Sequence, residues 1–197
     1  ILTPYGSDIY WFERFPRHRA KLKKLLGHAD LLSAECERDR TLASSLGFRG
    51  SFGPLVPASG EIVAVKASKE EVTRSAIAVK GYQNKWGRAK NALRAIAMNS
   101  DLFRGYRIEV FSCNHSTLRA GKRLIRDQNL DVVLHPKGAL SHQEMQNLFQ
   151  RSRVYIALSR SDGLPSSLLE AMACGAVPLQ SSTACIPRWL VSGENGF

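Results

Sequence analysis

From residue 75 onward, short apolar runs alternate with stretches of helical spacing. Residues 75–79 form a compact apolar run, 106–113 alternate as a half-buried strand does, and 131–135 and 155–158 are apolar again. Between them, Ala89, Leu93, Ile96 and Ala97 recur at helical intervals after Gly87, and 116–128 reads as a basic helix. Ser141-His142-Gln143-Glu144 has the spacing of a capping box, predicting a helix to Arg151. The run 155–158 is followed by a polar loop at 159–164 and a helix opened by Pro165, whose missing N–H costs nothing at a first helical position. Gly175 follows the last apolar helical residue and suits a left-handed stop. A strand at 176–180, a loop at Ser181-Ser182-Thr183 and a short helical turn close the chain. Such strand–helix alternation implies a parallel sheet with right-handed crossovers.

The first third repeats the alternation less completely. Residues 1–7 read as a strand tip entering a turn, 17–26 as a helix ending at Gly27, 29–35 as a short strand, and 38–46 as a helix closed by Gly47. Ser7 or Asp8 suits an N-cap. Residues 51–65, rich in Gly, Pro and Ser, read as a linker, and 66–73 as an exposed charged segment. The division is therefore 1–65, one α/β part with its linker, and 66–197, a second α/β part.

Composition narrows the class. A hydrophobic content of 44% supports a packed core and argues against disorder. No apolar run is long enough to cross a bilayer. The chain starts at Ile1 and lacks a signal-peptide pattern. Its four scattered cysteines show no CxxC or Cys/His spacing, which predicts reduced thiols in a cytoplasmic setting. The net charge of +11 lies on predicted helices without interleaved aromatics, so solvated helix faces come first, a peripheral membrane contact second and nucleic acid last.

The chemistry concentrates at 155–197. A loop meeting a helix start at the carboxyl end of a parallel strand is where open α/β sheets bind ligands, and free N–H groups there favour an anion. Asp162 lies in that loop. Glu170 lies five residues past Pro165, roughly 7–8 Å along the helix, about the reach from a diphosphate to its ribose.

The run DGLPSSLLEAMACGAVPL, with the later Ile-Pro and SGENGF, resembles the signature of group 1 retaining glycosyltransferases of the GT-B fold. The resemblance implies two Rossmann-like domains, with 1–65 the end of the first and its linker, 66–197 a second and truncated one, and the chain an internal fragment. Glu170 would hold the ribose hydroxyls of a nucleotide sugar, and Asp162, Gly163 and Leu164 with Pro165 would face the donor sugar and diphosphate. The family's first acid is usually Glu, so Asp162 is a departure. Its basic turn of Gly-Arg and Lys-Gly is also altered: Tyr82 stands at the Arg position, and Lys80, Lys85 and Arg88 are the cations left to neutralise the leaving diphosphate. We favour Lys85 and Arg88; charges at an exposed helix start fit them too. The loop at His135 would meet the base through its backbone, although a lone His at a strand end is more often structural.

The implied reaction is metal-independent transfer of a sugar from a nucleotide diphosphate donor to a saccharide or lipid-linked acceptor. Anomeric configuration would be retained and no cofactor used, in glycan assembly at the cytoplasmic side of a membrane. The chain has no Asp-x-Asp triplet. In retaining relatives the leaving phosphate is thought to take the acceptor proton, so no protein base is assigned. A glycosidase with paired acids suits the eight-residue spacing poorly. A nucleotide-sugar 2-epimerase and a non-catalytic sugar-nucleotide binding module are the alternatives.

Overall fold

Two parallel sheets, one in each of two units, carry the fold. The computed structural model describes residues 1–57, 73–183 and 185–197. The first unit takes residues 1–57 together with Ser161–Ser166 and Ser182–Leu190. It contains α1 (Ser7–Tyr10), α2 (Pro16–Leu26), β1 (Leu31–Ala34), α3 (Glu37–Ser45) and β2 (Ser51–Leu55), with a short helix at Ile186–Trp189. β1 and β2 run parallel, Leu31 opposite Ser51, and Leu2 bridges to Leu32. The core gathers Ile9, Leu26, Leu32, Ala34, Ala43, Leu46 and Phe48.

Residues 51–55 are thus a strand and not the linker expected there. Gly53 and Pro54 give the segment its linker composition, but among the described residues β2 pairs on one side in a two-stranded sheet, where a proline forfeits no ladder bond. Residues 1–7 contribute a single bridge at Leu2, and Ser7 already begins a helix. The expected linker end and charged segment at 58–72 lie outside the described residues, as does the boundary between 65 and 66.

The cysteine expectation also needs correcting. Cys36, just after β1, is disulfide-bonded to Cys185, with Cα atoms 5.5 Å apart and 149 residues between them in sequence. Cys113 and Cys174 are free and buried.

The second unit holds β3 (Ala76–Lys80), α4 (Ala89–Met98), α5 (Ser100–Phe103), β4 (Arg107–Cys113), α6 (His115–Gln128), β5 (Val132–Pro136), α7 (His142–Arg151), β6 (Ser152–Ala157), α8 (Ser166–Ala173, from its second residue on) and β7 (Val177–Gln180). Its five strands lie in the order β5-β4-β3-β6-β7, all parallel. β3 is central, which is why Ala76 to Val79 are all buried. α4 turns Ala89, Ala92, Leu93 and Ile96 inward. α6 is capped by Asn114, whose side chain accepts from the Thr117 N–H at 3.1 Å. It packs closely because Gly121 faces Leu134, where a Cβ would collide. The capping box at Ser141 forms as its spacing predicts, and both its bonds hold the Glu144 carboxyl below the usual range. Among the described residues no helix is long and apolar enough to cross a membrane.

Candidate functional site

In the second unit the chain leaves β3 for β4 on one side, while β6 lies on the other. That reversal is the switch point at whose carboxyl edge such sheets bind ligands. The turn after β3 is built into this edge. Gly81 donates to the Phe111 carbonyl at 2.7 Å, in space a side chain would fill. The Asn84 side chain accepts from the N–H groups of Trp86 (2.8 Å) and Gly87 (2.7 Å), closing the turn. Gly87 pairs with Ser159, just past β6. The Arg88 N–H reaches the Leu158 carbonyl and the Arg160 N–H reaches the Trp86 carbonyl, both at 2.8 Å. Asn84 and this lacing escape sequence reasoning, although an Asn three residues before Gly is the local signal for such a turn.

The predicted cations occupy the turn differently. Lys85 is exposed, its Nζ 5.2 Å from the Trp86 ring centroid. Arg88 folds back, donating to the carbonyls of Asn84 (3.0 Å) and Gly87 (3.1 Å), so it braces the turn. Lys80 ends β3 with its Nζ 6.0 Å from the Tyr82 ring, which Lys137 approaches at 5.6 Å. Tyr82, in the place expected for a cation, is therefore flanked by two.

Glu170 lies in α8, four residues beyond Ser166 and so about 6 Å along the axis. It is half-buried, and no hydrogen bond or ion pair among the described residues engages its carboxylate. Its charge is felt at Cys174, whose thiol is pushed up by burial first and by Glu170 second. Nearby on the same sheet edge, Ser181 Oγ accepts from the Ser159 N–H at 3.0 Å, joining the loops after β6 and β7. The buried Gln180 amide oxygen, at the end of β7, has no partner among the described residues.

The side chain of His135 is held elsewhere. Its Nε2 lies 2.9 Å from Oε2 of Glu109, a carboxylate buried in β4 that also receives two Arg151 N–H groups at 2.9 Å. The His135 ring is thus taken, and within that loop the Lys137 N–H already donates to the Cys113 carbonyl at 3.0 Å.

Asp162, Gly163, Leu164 and Pro165 belong to the first unit. Pro165 falls one position before α8, within the usual uncertainty of a helix end. Asp162 is half-buried and the other three are buried. The Leu164 N–H, expected to be available to a diphosphate, instead donates at 3.0 Å to Glu35, a buried carboxylate just after β1. Gly163 packs on the same carboxylate, and Gly6 packs against Gly163, so a Cβ on either glycine would collide. Ser7 and Ser161 share a hydrogen bond of 2.9 Å. The Asp8 carboxylate accepts from the Tyr5 N–H at 2.9 Å. Beside the disulfide, burial pushes the Asp39 carboxyl up while its contact with Arg38 opposes this.

A family model described as "Glycosyl transferases group 1" matches residues 79–197, more than half of the chain. Comparison with curated proteins finds no match. Among solved structures, the pneumococcal O-GlcNAc transferase GtfA, with UDP and GlcNAc, superposes with a TM-score of 0.75 at 12% identity, over 99% of this chain and 40% of its own. A variant of S. aureus TarM, with fondaparinux, alpha-GlcNAc-glycerol and UDP, gives 0.74 at 12% identity, over 99% and 39%. Anabaena Alr3699/HepE, with UDP-glucose, gives 0.73 at 15% identity, over 100% and 57%. The chain thus spans about two-fifths to just under three-fifths of these proteins. At these identities the likeness establishes the fold, a parallel α/β architecture of GT-B type as the signature implied.

Proposed function

This chain belongs to the group 1 glycosyltransferases, and from that premise we propose that it carries the donor-binding part of an enzyme that transfers a sugar from a nucleotide diphosphate to a saccharide acceptor. The observation that carries this reading is Glu170. A half-buried carboxylate without a partner among the described residues, one turn into the helix after β6, suits the paired hydroxyls of a ribose. An ordinary helix-surface Glu would be more exposed, and an ordinary buried one would be paired.

In this reading the donor lies at the carboxyl edge of the second unit's sheet. Lys80 and Lys85 meet the diphosphate charge that grows as the glycosidic bond breaks, and Arg88 holds the turn that presents Lys85. Cations fixed before the reaction stabilise the leaving group without a metal ion or cofactor. The anomeric carbon–phosphate oxygen bond breaks as the bond to the acceptor oxygen forms on the same face, with retention. The acceptor proton passes to the leaving phosphate. The solved relatives that hold UDP make uridine diphosphate sugars the first donors to try, with saccharide and lipid-linked acceptors as the second substrate.

The test is incubation with a panel of nucleotide sugars and glycan or lipid-linked acceptors, following nucleotide diphosphate release and product mass. Acceptor-dependent release with a glycosylated product of retained configuration is the expected result. Interconversion of the donor without acceptor would make the protein a 2-epimerase, and binding without turnover a carrier module; either overturns the proposal.

A further inference from the structure

On the second unit, α4 and α6 run beside a groove of about 720 Å³. Leu93 and Leu124 are part of its apolar lining. Lys90 and Arg94 of α4 and Arg119 and Arg123 of α6 supply its charge. No hydrogen bond or ion pair among the described residues engages these four side chains. Asp127, an acid at the groove, is already taken by Arg126 at 2.7 Å.

The arrangement works against the helices that carry it. Lys90 with Arg94, and Arg119 with Arg123, are like charges at i,i+4, a spacing at which repulsion lowers helix stability. Asp127 feels Arg123 as well as Arg126, but no ion pair among the described residues reaches Lys90, Arg94, Arg119 or Arg123, so an anion from outside is the natural counterpart. A second feature says what kind. Met98, one turn beyond Arg94, is 75% exposed, and Leu102 in α5 is 74% exposed. Large apolar side chains standing out from the surface beside a row of cations are the signature of a surface that lies in a lipid headgroup region.

We propose that this face docks on an anionic phospholipid bilayer, with headgroup phosphates in the α4–α6 groove and Met98 and Leu102 entering the acyl boundary. Single-stranded nucleic acid suits the groove poorly, because no Phe, Tyr or Trp among the described residues lines it. The proposal goes beyond the donor-site reading and is independent of it, since binding is read without turnover.

The test is co-sedimentation of the purified protein with equimolar phosphatidylglycerol–phosphatidylcholine vesicles, against phosphatidylcholine alone. Binding to the anionic vesicles only is expected. Lys90→Gln/Arg94→Gln/Arg119→Gln/Arg123→Gln should weaken it on the order of 10²–10³-fold. Met98→Ser/Leu102→Ser should weaken it by about 10-fold or more. Circular dichroism verifies that each variant is folded. Arg17→Gln/Lys21→Gln/Lys24→Gln on α2, the cation-rich helix of the first unit, should leave binding near wild type. Equal binding to both vesicle types, wild-type binding by the groove variant, or loss only in the α2 variant would overturn the proposal. Loss on removing the charges with none on removing Met98 and Leu102 would also overturn it, pointing to a soluble polyanion or an acidic protein.

Discussion

Gly6 and Gly47 both have a positive φ, at 75° and 98°, but only one has a neighbour in the way. An alanine at either position carries the strain of that conformation, about 1–2 kcal/mol. A Cβ at Gly47 meets nothing within 4 Å, so Gly47→Ala should cost that amount and no more. A Cβ at Gly6 collides with the Gly163 backbone, which lies against Glu35 and has little room to withdraw. Overpacking of that kind adds about 1–3 kcal/mol, bringing Gly6→Ala to about 2–5 kcal/mol. Urea unfolding of each variant, followed by hydrogen exchange in peptides from residues 1–57 and 161–166, measures the difference. At a urea dependence of about 1–3 kcal/mol/M, the Gly6 variant should unfold roughly 1 M below the Gly47 variant. It should also expose the Leu164 N–H to exchange, because the loop that Glu35 holds is displaced. Equal losses in the two variants would refute the claim that Gly6 and Gly163 are held in contact.

Thiol counting under denaturing, non-reducing conditions should label Cys113 and Cys174 alone, and all four cysteines after reduction; Cys36→Ser should destabilise the first unit by about 2–5 kcal/mol. Burial raises the Asp39 carboxyl above its ordinary 3.8, so this group favours the folded state below that pH and the contribution is lost as pH rises through its raised value. Asp39→Asn should therefore flatten the pH dependence of first-unit stability between pH 3.8 and neutrality. Lys85→Ala should lower kcat on the order of 10²-fold with little change in KM, as expected for a cation that meets charge only as the bond breaks.

The second unit was largely legible in the sequence because its signals are local. Ala76 to Val79 are apolar without interruption, as a strand buried on both faces must be, and Ser141 and Glu144 announce a helix start within four residues. What escaped depends on distance along the chain. Glu35 meets Leu164 across 129 residues, Glu109 meets Arg151 across 42, and Cys36 meets Cys185 across 149. No spacing rule reaches so far. β2 was missed for another reason: Gly53 and Pro54 are linker residues by composition, and only pairing on one side lets them form a strand. At the candidate site, Glu170 and the basic turn could be named from their pattern. The buried carboxylate under the Leu164 N–H could not, because an acid at the end of a short apolar run looks like the start of the following helix.

The donor reading rests on Glu170, and calorimetric titration of wild type and Glu170→Ala with UDP tests it most directly. Loss of hydrogen bonds to a charged acceptor, about 1.5–3 kcal/mol, should weaken binding by about 10- to 150-fold. The melting temperature should stay the same, since the carboxylate has no partner among the described residues to lose. Unchanged affinity, with wild-type protein binding the nucleotide, would contradict the assignment of Glu170 to the ribose.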